Sequence, residues 1–425
     1  MYSEFRLDVE LSKDKKITDI DSIYKIHIVP PVDLSQSFYE YAQNFHSAAH
    51  YIASFLLETN KPSIGRLDSY FFALAFLYRH SIELILKALA FRNLLDKNSR
   101  VSFAKETFHD LAKILEEVLK LENGARTDEE ISWLKKYFAD ASKIDKESDS
   151  FRYPFHIIRI AGNGGEKPQF SIKRVFEEQT HIDLILFSNK FEVAYGILDR
   201  WYMGDARSVE ERGGLRPIFI ESGGYYYGQS VVGYGYRRQD FYPYVNAYTE
   251  TAGYIREKMK NLYDSGDQEK AARLFMPMCY LYRNAVELVI KATWFEETRE
   301  DFQQKCKVLN KKKHSISGLW NQLRGWIKNF YGEESNDKNY FDDITEVCGN
   351  LQGFDGTASK FRYPCTKEMN LHFNKFKTLD FMNVAEFMES LICAIDGISA
   401  EIEARNEYIN EMEAEYRSEY NDLIN

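Results

Sequence analysis

Apolar residues recur at spacings of three and four along most of the chain, the period of helices that bury one face. Two stretches carry more than a simple apolar stripe. "FLYRHSIELILKALAF" at 76–91 starts as a buried helix, then places Arg79, His80, Glu83 and Lys87 among its aliphatic residues. "YLYRNAVELVIKATWF" at 280–295 writes the same helix again, with Arg283, Glu287 and Lys291 in register.

Other blocks repeat in the same order. "FYEYAQNFHSAAHYI" at 38–52 matches "FYPYVNAYTETAGYI" at 241–255, and "FHDLAKIL" at 108–115 matches "KHSISGLW" at 313–320, where His109 and His314 each precede an apolar helical pattern. "IDKESDSFRYP" at 144–154 pairs with "FDGTASKFRYP" at 354–364, aligning Asp145 with Asp355 and Arg152 with Arg362. The last blocks, "THIDLILFSNKFEVAYGILD" and "KTLDFMNVAEFMESLICAID", align Asp183 with Asp380 and Asp199 with Asp396. A repeat of this length changes the reading of the whole fold. Four or five helical segments per copy predict two similar helical bundles in tandem.

The helical period gives way to alternation near the start. "FRLDVEL" and "YKIHIVPP" read as short extended pieces ended by Pro30 and Pro31. "ESGGYYYGQSVVGYGYRRQD" is rich in Gly and Tyr and suits turns, short hairpin strands or a loop packed by rings, while "AGNGGEKPQF" at 161–170 reads as a hairpin tip found only in the first copy. "EIEARNEYINEMEAEYRSEYNDLI" reads as an acidic, solvated final helix. The expected fold is therefore mainly α: an extended or β segment over 1–34, one bundle over 35–202, a link with short β pieces over 203–240, and a second bundle over 241–425.

Composition narrows the classes. A net charge of −10 argues against a broad basic surface for duplex nucleic acid and leaves room for a small local basic site. The start lacks the apolar run of a signal peptide, and "YFFALAFLY" is too short to span a bilayer before Arg79 interrupts it, so a cytoplasmic protein without membrane contact is expected. The five cysteines, all in the second half, match no zinc or disulfide spacing, and with nine scattered histidines no metal or cofactor is expected.

Within each copy Arg, Glu and Lys stand four residues apart and share one helix face. Burying a lone charge costs several kcal/mol, so such a ladder must pair internally, meet another helix or reach water. His109 or His314, and Arg152 or Arg362, are the partners offered by later segments. Two readings follow. One is an interhelical network that sets bundle register, with the glutamate satisfying the arginine of "FRYP". The other is a cationic pocket of Arg79, Lys87, His109 and Arg152 about Glu83, and of Arg283, Lys291, His314 and Arg362 about Glu287, that grips phosphate or nucleotide. The proline after each Arg-Tyr suits the first turn of a helix.

At these residues the chain resembles the HEPN superfamily, in its nucleotidyltransferase-associated form. That form carries Glu, then Lys-Ala four residues on, a His-Asp-Leu-like segment and Arg-Tyr-Pro. The matching positions are Glu83, Lys87-Ala88, His109-Asp110-Leu111 and Arg152-Tyr153-Pro154, and in the second copy Glu287, Lys291-Ala292, His314-Ser315-Ile316 and Arg362-Tyr363-Pro364. The resemblance spans about residues 35–200 and 240–400. It implies four- or five-helix bundles that dimerise, here as an intramolecular pseudo-dimer, and a place in prokaryotic toxin, stress or antiviral systems, where active members cleave RNA without metal.

Ribonucleolytic members carry Arg, four to six residues, then His, with a polar residue after the arginine. Arg152 to His156 is too short; Arg174 to His181 has the spacing, but Val175 follows the arginine and Thr378 stands opposite His181. Arg174 and His181 are therefore read as surface residues at a helix entrance. The leading expectation is a non-catalytic or degenerate tandem that binds RNA, nucleotide or a partner protein. The alternatives are a metal-independent endoribonuclease using His109 with Arg152 or Arg174 with His181, and a homo-oligomeric scaffold built through the Tyr-rich link.

Overall fold

A computed structural model describes residues 11, 15–57, 64–121, 126–162, 167–176, 181–205, 214–223, 230–232, 241–332 and 335–424. The protein is mainly helical. The first half contributes α1 (Leu34–Leu57), α2 (Ile64–Asn93), α3 (Lys97–Thr107), α4 (Leu111–Leu121), α5 (Asp128–Ile144) and α6 (Leu184–Met203). The second contributes α7 (Tyr242–Asp264), a short α8 (Gln268–Arg273), α9 (Phe275–Ala292), α10 (Phe302–Lys312), α11 (Ile316–Tyr331), α12 (Ser335–Phe354) and α13 (Phe381–Ile424). Leaving α8 aside, among the described residues each half has six α-helices in matching order, where the sequence blocks suggested four or five.

The correspondence extends to unusual backbone. Phe108 and Lys313, just after α3 and α10, have φ of 49° and 51°; Ser148 and Ala358, after α5 and α12, have φ of 62° and 55°. L-residues enter this region only at a cost, so the same two turns are held in each half by what surrounds them. The first turn sets His109 and His314 beside the central helices. The second carries each "FRYP" segment.

Helices α2 and α9 lie at the centre. Residues 70–91 and 275–295 are buried on every side, which explains why they lack a polar face. Helix α2 packs against α1, α4, α6 and α7, and α9 against α7, α11 and α13. The two central helices meet at equivalent positions, Phe76 and Tyr280, whose rings stack 4.6 Å apart with planes inclined by 27°. Phe72 stacks on Tyr244 of α7 at 3.7 Å and 13°. One continuous core therefore runs through both halves rather than one core in each.

Strand pairs tie the periphery together. β1 (Lys25–Ile28) pairs antiparallel with β6 (Lys377–Asp380), joining the N-terminal piece to the second half. Asp380 fastens this join: its carboxylate accepts the Ser22 N–H at 2.6 Å and the Asn383 N–H at 3.2 Å, so one side chain caps α13 and holds the chain before β1. β2 (Phe155–Ile160) and β3 (Gln169–Arg174) form the hairpin expected around residues 161–170. Pro154 thus enters a strand, not a helix; the residue after it pairs with Arg174, which fixes extended backbone there. β4 (His181–Asp183) pairs with β5 (Ser230–Val232), a described part of the Gly- and Tyr-rich link. "FRLDVEL" falls outside the described residues apart from Leu11, as does most of that link.

Phe72 supports the join between halves, so Phe72→Ala is expected to cost about 3–5 kcal/mol. Urea unfolding followed by near- and far-UV circular dichroism should show one transition moved to lower denaturant. Two separated transitions would mean that the halves are independent.

Candidate functional site

Each ladder folds onto its own glutamate. Arg79 Nη1 donates to Glu83 Oε2, and Lys87 Nζ donates to Glu83 Oε1 at 2.6 Å. In the second half Arg283 Nη1 donates to Glu287 Oε2 at 2.7 Å and Lys291 Nζ to Glu287 Oε1 at 2.7 Å. The turns after α3 and α10 add the histidines. His109 Nδ1 lies 2.9 Å from Glu83 Oε1 and His314 Nδ1 3.0 Å from Glu287 Oε1. The backbone carbonyls of the same histidines accept from Arg79 Nη2 and, at 2.6 Å, from Arg283 Nη2.

The remaining partner comes from the other half. Tyr363 donates its hydroxyl to Glu83 at 2.8 Å, and Tyr153 donates to Glu287 at 2.7 Å. The same hydroxyls lie 3.3 Å from His109 Nδ1 and 3.1 Å from His314 Nδ1. Each "FRYP" segment therefore completes the opposite cluster, the reciprocal pattern of an isologous interface formed within one chain. The ammonium of Lys291 stands 4.2 Å from the centre of the Tyr153 ring, and that of Lys87 5.0 Å from the Tyr363 ring.

This arrangement changes the expected membership of the sites. Arg152 does not meet Glu83: its Nη2 donates to the Tyr153 hydroxyl at 2.9 Å and its Nη1 to Asp149 at 3.0 Å, beside Glu287. His109 and Arg152, nominated as a catalytic pair, belong to different clusters. Arg174 ends β3 and His181 begins β4, in separate two-stranded sheets. Asp145 and Tyr153 and their counterparts, aligned in sequence but given no place in the clusters, belong to them. Asp145 accepts from Arg79 Nε at 2.9 Å and from the Ser150 N–H at 2.9 Å, linking the ladder to the turn that carries "FRYP". Both residues were identical in the two copies of that block, and this identity was the available signal.

Burial sets the electrostatics. Burial alone would raise the carboxyl of Glu83, but Lys87, His109 and Arg79 outweigh it and hold it well below the ordinary range. Glu287 is depressed in the same way, with burial opposed by Lys291, His314 and Arg283. The His109 imidazole is pushed down by burial, against the pull of Glu83 and with help from Lys87 and Arg362. At His314 the attraction of Glu287 is overcome by burial, Arg152 and Lys291, so it too is lowered. A neutral imidazole that donates from Nδ1 to a carboxylate keeps an unprotonated Nε2, able to accept a proton or a hydrogen bond.

The arginines and glutamates are sealed and mutually paired, with Arg79, Arg283, Glu83 and Glu287 all at or below 1% exposure. The imidazoles are the outlets of the clusters: His109 is 28% exposed and His314 38%. Among the described residues no group of three or more His, Cys, Asp or Glu is placed to hold a metal ion, and no helix is long and apolar enough to cross a membrane.

Glu83→Gln should cost about 3–5 kcal/mol, because it leaves buried cations uncompensated. Tyr363→Phe should cost about 1.5–3 kcal/mol, the loss of a hydrogen bond to a charged group. Chemical denaturation of each variant checks both values.

Stability should also fall on mild acidification. Both histidines have folded values below their unfolded value of about 6.5, so their contribution is complete above that pH and is lost as pH drops through it. The depressed glutamates add a second loss below about pH 4.3, as the unfolded carboxylates take up protons first. Thermal midpoints between pH 8 and 5 should decline for the protein and decline less steeply for a His109→Asn, His314→Asn double variant, in which His80 and His372, also pushed down by burial, still titrate. No family model, curated protein or solved structure matches the chain.

Proposed function

We propose that the chain is a tandem HEPN-like protein, non-catalytic, that acts as an internally dimerised binding module for RNA or nucleotide in a prokaryotic antiviral defence or stress system. The observation that carries this reading is the paired outlet: each sealed cluster presents a partly exposed, neutral imidazole next to a lysine and a tyrosine from the opposite half. Such an edge offers a hydrogen-bonding ring and a nearby positive charge to a phosphate or base, while the arginines behind it are committed to the fold. The duplicated ladder and "FRYP" blocks, with their reciprocal exchange, support the HEPN-like pseudo-dimer. The net charge of −10 suits a local site over an extended one.

Fluorescence anisotropy with a labelled single-stranded RNA is expected to show salt-sensitive binding, weakened about tenfold, or by about 1.4 kcal/mol, in the His109→Ala, His314→Ala variant. Unchanged affinity in that variant would remove the site from the reading.

One feature favours a second reading, the metal-independent endoribonuclease. Glu83, His109 and Tyr363 form a chain in which the carboxylate engages Nδ1 and leaves Nε2 as a base for a 2′-hydroxyl. Incubation of RNA with the protein in EDTA separates the two. Intact RNA is expected; cleavage abolished by His109→Ala would put the nuclease in place of the binding module.

A further inference from the structure

The two "FRYP" turns have the same backbone but different charge. The Asp149 carbonyl accepts the N–H groups of Arg152 and Tyr153 at 2.9 and 3.0 Å, and the Ser359 carbonyl accepts those of Arg362 and Tyr363 at 3.1 and 2.9 Å. Since the preceding residues share positive φ, the side chains at 149 and 359 leave equivalent turns at equivalent points. Asp149 there neutralises Arg152, with an Oδ1 to Nη1 distance of 3.0 Å. Ser359 has no charge to offer. Its hydroxyl lies 2.6 Å from that of Thr357 and 3.3 Å from His372 Nε2.

Arg362 is consequently an unbalanced buried cation. It is 8% exposed, and among the described residues no carboxylate lies within ion-pair distance of it. Its Nε donates to the Ala358 carbonyl at 3.0 Å, while Nη1 is buried without a hydrogen-bond partner. Its guanidinium carbon stands 5.7 Å from the centre of the Tyr280 ring, at the junction of the halves, and its own carbonyl is 3.0 Å from Nε2 of the fully buried His80. Nδ1 of His80 is likewise buried without a partner. A water molecule would satisfy an N–H but leave the charge uncompensated, and a buried unpaired cation costs several kcal/mol. A polyoxyanion such as phosphate calls for several converging donors. A buried guanidinium nitrogen without an acceptor, on a side chain only 8% exposed, suits a small ion.

We propose that Arg362 binds a single small inorganic monoanion of the chloride class at the junction of the two halves, in the role that the Asp149 carboxylate plays for Arg152. The anion supplies the negative charge missing from the second turn and lets the Tyr363 hydroxyl reach Glu83 from a neutral base. The binding reading above is independent of this ion.

The test uses the full chain, with thermal midpoints compared in sodium chloride or bromide and in sodium gluconate at equal ionic strength. The protein is expected to melt about 1–2 °C higher in the halide, and Ser359→Asp, which restores the carboxylate in place, should erase that difference. Arg362→Met should erase it as well; if that variant does not fold, Ser359→Asp still decides. Crystals grown in bromide should give an anomalous peak at Arg362 Nη1 that is missing in Ser359→Asp. Equal halide dependence in the protein and Ser359→Asp, or bromide found only at the surface with water at Nη1, would overturn the proposal.

Discussion

Glu83 and Glu287 are carboxylates with no exposed surface, set in the two central helices along stretches that are buried on every side. A carboxylate in that position is tolerable only if its oxygens are fully engaged, and the surrounding architecture answers that demand. One helical turn on either side supplies an arginine and a lysine. The turn after the next helix supplies a histidine, and the opposite half supplies a tyrosine. Because the last of these arrives from another part of the chain, neither glutamate is satisfied until both halves are in place. Such a network need not stabilise the fold more than well-packed apolar side chains would. Its effect is on specificity: it admits one register of α2 against α9 and one placement of each "FRYP" turn.

The same network explains why these clusters look like binding pockets in sequence and like core in structure. Three cation-bearing positions and a histidine around one acid suggest a cradle for phosphate. In the folded chain Arg79 is spent on Glu83, Asp145 and the His109 carbonyl. The imidazole edge remains accessible, at 28% exposure. The chemistry open to a ligand is therefore that of a neutral histidine with a lysine and a phenol nearby, and not that of an exposed arginine pair.

The halves have also drifted apart. Arg79 Nε lies 2.9 Å from Asp145, whereas Arg283 Nε is 3.8 Å from Asp355. Ser150 Oγ donates to the Ile144 carbonyl at 2.6 Å, and Lys360 Nζ makes the equivalent contact with the Phe354 carbonyl at 2.6 Å. Ser359 replaces the acid at 149. Each change leaves the backbone turn intact and moves charge, so the second turn is the more positive of the two. Duplication supplied the geometry, and divergence altered the electrostatics laid on it.

The helices were legible because each presents an apolar face at helical period, and α2 and α9 stood out because their charges recur every four residues. The hairpin tip at 161–170 was marked by its glycines, and the helix starts after His109 and His314 by apolar patterns that begin there. Pro154 misled because proline is as compatible with the start of a strand as with the first turn of a helix. What the sequence by itself determined was the inventory of each cluster: a ladder, a histidine and an Arg-Tyr pair, written twice. Which copy's Arg-Tyr pair would serve which glutamate was decided only by the tertiary structure. Both copies carry the same set, so local chemistry is satisfied equally by partners from the same half or the other. The choice rests on the path of the chain beyond α5 and α12 and on the packing of α2 against α7 and α9, which bring each tyrosine to the opposite acid.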